Sequence, residues 1–235
     1  MSVEHLPIAP QVEDDPIIQY VIDLQRQREP VSPIDDVLGE MEDLAEKDEI
    51  PIIGSLEGSL IEIFIKMQGN RIKNVLDIGT AIGYSAIWLA RSLPNDAHIT
   101  SLERDTERIK IATEYIERAG IADRVTIIEG DVFDVLPTLD QKYDLILQDI
   151  IKHAYFGQGA ELPLKLLDLM LDRLADGGVL LGDNAFCLGK VLENGNVPQQ
   201  VAGIKAYNDA VARHPALTSL IIPIRDGLWI SHKNA

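Results

Sequence analysis

Two kinds of hydrophobic spacing divide the chain. Up to about residue 70, apolar residues recur at helical intervals of three or four. Asp15-Pro16 reads as an N-cap followed by proline at the first helical position, with Ile17, Ile18, Val21 and Leu24 on one face. Ser32-Pro33 repeats that device, and Ile34, Val37, Leu38, Met41, Leu44 and Ala45 follow helical spacing. Asp35, Asp36, Glu40, Glu42, Asp43 and Glu46 fall between them and read as that helix's solvated face. A third helix is predicted over 55–67. From Lys73 short apolar runs alternate with amphipathic segments. The runs are Asn74–Ile78, His98–Leu102, Val125–Glu129, Leu145–Gln148 and Val179–Leu181, and the helical stretches include Tyr84–Arg91, Thr106–Ala119 and Leu162–Leu174. Such alternation, with near-continuously apolar strands, predicts an α/β fold whose doubly wound, mostly parallel sheet is covered on both faces. Gly120 and Gly177 stand where helices should end. After a last helix over Gln199–Arg213, Ser219–Ile224 and Leu228–His232 flank Arg225-Asp226-Gly227, whose Asp-Gly pair predicts an antiparallel hairpin.

Composition narrows the partners. A chain of 235 residues, 46% hydrophobic, suits one α/β domain with an appendage: a helical cap over 1–70 and a ligand-binding domain over 71–235. No apolar run approaches the roughly 20 residues of a membrane span, and the first residues lack the order of a signal peptide. The expectation is a cytoplasmic protein. A formal charge of −17 argues against gripping nucleic acid and against anionic membranes. Cys187 is the only cysteine and the five histidines lie far apart, so neither a disulfide nor a local zinc motif is expected. A small-molecule substrate remains.

Ligands of open α/β sheets bind beyond the carboxyl ends of the strands. The first predicted strand runs into Asp77-Ile78-Gly79-Thr80-Ala81-Ile82-Gly83-Tyr84-Ser85, a G-x-x-x-G turn rather than the G-x-G-x-x-G of dinucleotide enzymes. It either admits a ligand or simply turns a tight corner. Glu103, at the end of the second strand, can accept hydrogen bonds from ribose hydroxyls, and its pairing with the glycine turn favours a nucleoside. Asp131, after the third strand, either meets an adenine ring or caps a helix. Leu147-Gln148-Asp149-Ile150-Ile151-Lys152 and Leu180-Leu181-Gly182-Asp183-Asn184 close the fourth and fifth strands. If those strands are neighbours, Asp149, Asp183 and Asn184 converge as three oxygen ligands for a hard divalent ion. Otherwise they only terminate strands in turns.

These motifs, in this order, resemble the cation-dependent O-methyltransferases, the family of catechol O-methyltransferase and the plant caffeoyl-CoA enzymes. The resemblance runs from about Ile52 to Lys233. Asp77–Ser85 is similar to the family's S-adenosylmethionine (SAM) loop, Asp149–Lys152 to its metal-and-lysine segment, and Gly182-Asp183-Asn184 to its second metal segment. Asp226-Gly227-Leu228-Trp229-Ile230 is similar to its closing hairpin. The resemblance implies a seven-stranded, Rossmann-like class I methyltransferase sheet. It implies that Gly79, Ser85 and Glu103 hold SAM, with Asp77, Thr80, Ala81, Gly83, Arg104 and Asp149 in the same site and Asp131 and Val132 bordering the adenine. It also implies that Asp149, Asp183 and Asn184 hold Mg²⁺, or Mn²⁺ or Ca²⁺, and that Lys152 is the general base beside Asp149, with Tyr155 near the substrate. The implied substrate is a small aromatic hydroxyl and the implied assembly a homodimer. A vicinal diol on an aromatic ring can chelate such an ion, which lowers the hydroxyl pKa. A lysine beside that ion should itself be depressed and able to take the proton.

Two departures put the acceptor in question. Asp149-Ile150-Ile151-Lys152 stands where family members commonly have Asp-Ala-Asp-Lys, with His153 next to it. Ala185-Phe186-Cys187-Leu188 replaces a stretch that often carries tryptophan, and Cys187 reads as a buried small hydrophobe. The alternatives are SAM-dependent transfer to a non-catechol molecule with the metal site idle, a nicotinamide oxidoreductase, and a SAM-binding protein without catalysis.

Overall fold

In the computed structural model, which describes residues 16–26, 32–150 and 159–234, the apolar runs assemble one sheet. Its strands are β1 (Asn74–Ile78), β2 (His98–Glu103), β3 (Val125–Glu129), β4 (Tyr143–Gln148), β5 (Leu174–Gly182), β6 (Leu217–Ile222) and β7 (Leu228–Lys233). They lie in the order β3-β2-β1-β4-β5-β7-β6. Every pair is parallel except β5–β7 and β6–β7. The chain therefore winds outward from β1 through β2 to β3, returns, and leaves from β4 through β5. A crevice opens where that order reverses, between β1 and β4.

Alternate residues of each strand serve opposite cores. Val75, Leu145, Leu147, Val179 and Leu181 join one buried cluster, and Leu76, Ile78, Ile146 and Leu180 join the other, as the twofold side-chain period requires. Helices α2 (Pro33–Lys47), α3 (Gly54–Gln68), α4 (Tyr84–Ser92) and α5 (Thr106–Arg118) cover the first face; α6 (Val132–Val135), α7 (Glu161–Arg173) and α8 (Gln199–Arg213) cover the second. Helix α1 (Pro16–Arg26) exists where the spacing predicts, but Val21 and Leu24 of its apolar face are exposed, as is Tyr20. Asp15, the expected N-cap, lies outside the described residues. No helix among them is long and apolar enough to cross a membrane.

Three sequence expectations change on folding. The acids of α2 are not all a solvated face. Asp35 receives the Ser32 amide at 2.9 Å and pairs with Arg91 of α4 at 2.8 Å, Glu42 accepts the Tyr84 hydroxyl at 2.5 Å, and Glu40 pairs with Arg118 of α5. Gly177 does not end a helix. Helix α7 stops at Arg173, and Gly177, with φ of +76°, lies in an irregularity of β5 between Leu174, which pairs with Tyr143, and Val179, which pairs with Leu145. The β6–β7 pair is antiparallel as predicted, but β6 runs from Leu217 to Ile222 rather than to Ile224, so the connection spans 223–227 rather than 225–227.

The seam between α3 and α4 is set by Gly58. A Cβ built there would stand 2.4 Å from the Trp88 ring, which is buried and lies under the Arg91 guanidinium. Replacing Gly58 with alanine is therefore expected to overpack the seam and lower the unfolding free energy by about 1–3 kcal/mol. Urea denaturation measures this; an unchanged midpoint would show that the two helices separate freely.

Candidate active site

Ladder hydrogen bonds place the chemistry at one level. Ile78 is level with Leu102 on one side and Gln148 on the other, and Gln148 is level with Gly182. Pairing continues one step further, with the Asp149 amide on the Ile78 carbonyl and the Asp183 amide on the Gln148 carbonyl, both at 3.0 Å. Gly79, Glu103, Asp149 and Asp183 thus emerge together at the strand ends around the crevice.

The turn after β1 needs its first and last glycines. Gly79 has φ of +92°, and a Cβ on it would stand 2.4 Å from Ile150 Cγ2 and 2.9 Å from the Asp149 carbonyl oxygen. Gly83, with φ of +91°, precedes α4, and a Cβ there would stand 3.2 Å from the Ala112 backbone of α5. Ala81, between them, also takes a left-handed φ of +47°. Its amide donates to Glu103 Oε2 at 3.0 Å, while Oε1 of the same carboxylate accepts the Arg104 and Asp105 amides at 2.8 and 3.0 Å. Three backbone donors thus immobilise the charge, and Oε2, with one bond, retains a lone pair for a hydroxyl.

A cavity of about 380 Å³ lies against this turn. Among its walls are Gly79, Ala81, Glu103, Arg104, Asp131, Val132 and Asp149 of the predicted set. Asp77, Thr80, Gly83 and Ser85 are not in its wall; they support it from behind. Asp77 is buried and accepts the Ser85 and Ser101 hydroxyls at 3.0 and 3.1 Å. Burial pushes its pKa up to about 6, against the pull of those hydroxyls. Asp131 caps α6 through the Phe133 amide at 2.9 Å and also faces the cavity. Its contact with Arg104, at 3.7 Å on a largely exposed pair, adds little.

The predicted oxygen donors converge. Asn184 Nδ2 donates to Asp149 Oδ1 at 2.7 Å and to Asp183 Oδ2 at 2.8 Å, and the Asn184 amide donates to Asp183 Oδ1 at 2.6 Å. Asp183 and Asn184 are buried, and Asp149 opens on the cavity. No group of three His, Cys, Asp or Glu side chains placed to hold a metal ion is found among the described residues; beside the two carboxylates here stands an amide. Turning that amide half over would direct its oxygen into the cluster, so the three side chains fit a hard divalent ion by donor chemistry. Lys152, His153 and Tyr155 lie outside the described residues. Cys187 is buried, as expected of a small hydrophobe.

Sequence reasoning missed Pro51, Arg108, Phe133 and Leu162, which also line the cavity. Phe133 adjoins Val132 and could have been found by extending that motif. Pro51 precedes α3, far from the strand ends, and only packing brings it to the site.

Comparison with known proteins bears on this arrangement. A family model for the O-methyltransferases matches residues 35–234. A catechol O-methyltransferase from Niastella koreensis is 33% identical over 156 residues, which are 64% of this chain and 66% of that protein. Caffeoyl-CoA O-methyltransferase 1 of Arabidopsis thaliana is 26% identical over 238 residues, 94% of this chain and 86% of that protein. Among solved structures, an O-methyltransferase from Bacillus cereus in complex with SAH superposes with a TM-score of 0.76 at 25% identity, covering 93% of this chain and 97% of that one.

The raised pKa of Asp77 has a definite sign. The folded chain holds this proton more tightly than the unfolded chain, so its contribution to stability is complete below the ordinary carboxylate pKa of 3.8 and is lost as pH rises through about 6. Asp77→Asn removes that loss. From about pH 5 to about pH 7.5 the unaltered chain should lose roughly 1 kcal/mol of unfolding free energy relative to the variant. A difference between the two proteins that does not change with pH would contradict the assignment.

Proposed function

This chain belongs to the O-methyltransferase family, and we propose that it moves the methyl group of SAM to one hydroxyl of a small catechol-type aromatic with the help of a divalent cation. Its standing as a SAM-dependent methyltransferase follows from the family and from the SAH-bound relative. The acceptor and the cation are our reading. The observation that carries it is the meeting of Asp149, Asp183 and Asn184 beside a cavity whose lining also includes Gly79 and Ala81 of the glycine turn and Glu103.

In this reading Glu103 receives the ribose, Asp131 and Val132 border the adenine, and the turn from Gly79 to Ala81 lets the donor approach the backbone closely. Asp149, Asp183 and Asn184 would hold the cation. Such an ion, when bound there, would lower the pKa of the acceptor hydroxyl and offset the charge developing on its oxygen. Lys152, three residues beyond Asp149, is assigned to take the hydroxyl proton. The oxygen then bonds to the methyl carbon as the carbon–sulfur bond of the sulfonium breaks, releasing S-adenosylhomocysteine. Fixing donor and acceptor side by side supplies much of the acceleration.

A second reading, transfer to a non-catechol molecule with the carboxylate pair idle, has one observation in its favour. Asn184 already donates to both carboxylates, so protein groups alone can satisfy the cluster.

Transfer of labelled methyl from SAM to a panel of catechols separates the two. The proposal expects transfer that EDTA abolishes and Mg²⁺ restores, a fall of about 100-fold or more in kcat/KM for Asp183→Ala, and a comparable fall for Lys152→Ala. EDTA-insensitive transfer, or SAM binding with no transfer to any catechol, would favour the second reading.

A further inference from the structure

The segment after β5 has left-handed backbone at three of five consecutive residues without a glycine among them: Asn184, Cys187 and Leu188 have φ of +67, +49 and +57°. Such conformations are disfavoured for L-residues and persist only where the surroundings over-determine them. The restraint here comes from distant parts of the chain. Asp226, between β6 and β7, accepts the Leu188 amide on Oδ1 at 2.7 Å. Its main-chain carbonyl accepts the Phe186 amide at 2.7 Å, and the Gly227 carbonyl accepts that of Ala185 at 2.9 Å. The Phe186 ring packs where a Cβ on Gly227 would stand. From the other side, Asn208 of α8 donates to the Ala185 carbonyl and accepts the Trp229 indole N–H, both at 2.7 Å. Asp226 is buried, so water competes little for its bond.

The gripped turn begins immediately after Asn184, the residue whose amide faces Asp149 and Asp183. We propose that Asp226 is a positioning residue: through the 185–188 turn it sets the orientation of Asn184, and so the geometry of the oxygen cluster, without touching any ligand. This rests on the metal-assisted reading above. The Asp226 carboxylate acts as a hydrogen-bond acceptor for a strained backbone, so an uncharged acceptor in the same place should largely suffice. Asn208 grips the same turn from α8 and should act in the same direction.

The test is titration of the full chain with Mn²⁺, followed by electron paramagnetic resonance of the free ion, alongside calorimetric titration with SAM. Asp226→Ala is expected to weaken Mn²⁺ binding about tenfold or more while SAM affinity stays within about twofold. Asp226→Asn should recover most of the loss, because its carboxamide oxygen still accepts the Leu188 amide. Asn208→Ala should weaken Mn²⁺ binding in the same selective way, and it decides the matter if Asp226→Ala does not fold. Unchanged Mn²⁺ affinity in a folded Asp226→Ala, or in Asn208→Ala where that variant is needed, overturns the proposal. So do equal losses of Mn²⁺ and SAM affinity, which would mark general loosening. If the unaltered chain binds no Mn²⁺, the metal reading itself falls and this proposal with it, so the two failures are told apart by the parent protein.

Discussion

The site depends on the approach of two backbones at the centre of the sheet. Strands β1 and β4 are parallel neighbours at the point where strand order reverses, and their pairing continues past the strands to Asp149. At that level the chain after β1 must also turn out of the sheet and enter α4. Only a residue without a side chain can occupy position 79, because the Ile150 methyl and the Asp149 carbonyl already fill the space a Cβ would take. Everything at the crevice depends on this contact. It lets the glycine turn, the Asp149 carboxylate and Glu103 at the end of β2 share one cavity.

The site then gathers acids in a chain that is already strongly acidic, and each is handled differently. Asp77 is buried behind the turn, and burial moves it toward neutrality despite two donated hydroxyls. Glu103 keeps three backbone amides around its charge. Asp149 and Asp183 share the single amide of Asn184. Glu103, Asp131 and Asp149 thus bring negative groups to a cavity whose wall also carries Arg104 and Arg108. Such negative groups suit a cationic sulfonium donor, and Asp149 and Asp183 suit a divalent ion between them. Helices α2 to α4 close the first face of the sheet over this arrangement, with the pairs Asp35–Arg91 and Glu42–Tyr84 tying α2 to the helix that follows the glycine turn.

Much of this was legible in one dimension. Local spacing delimits β1, β3 and α8 at the residues where they begin and end. It succeeds there because each is a periodic run with a sharp polar or glycine boundary. It falls short at β5, which starts at Leu174 rather than Val179, because Ala175-Asp176-Gly177-Gly178 interrupts the apolar run while the backbone continues into the sheet. The acids of α2 look solvated from the sequence for a related reason. A helix period reveals which residues share a face, but not that arginine and tyrosine side chains from α4 will meet them.

The site divides along the same line. By itself the sequence determined the alternation of strands and helices, hence a parallel sheet with its chemistry at the strand ends. It also determined which residues stand at those ends, since each follows directly from an apolar run. Only the tertiary structure decided that Asp149, Asp183 and Asn184 touch, that Pro51 and Leu162 wall the cavity, and that Asp226 grips the turn after Asn184. Those contacts join segments tens of residues apart, and local preference carries no information about them. They follow from strand order and from packing, which exist only once the whole sheet has formed.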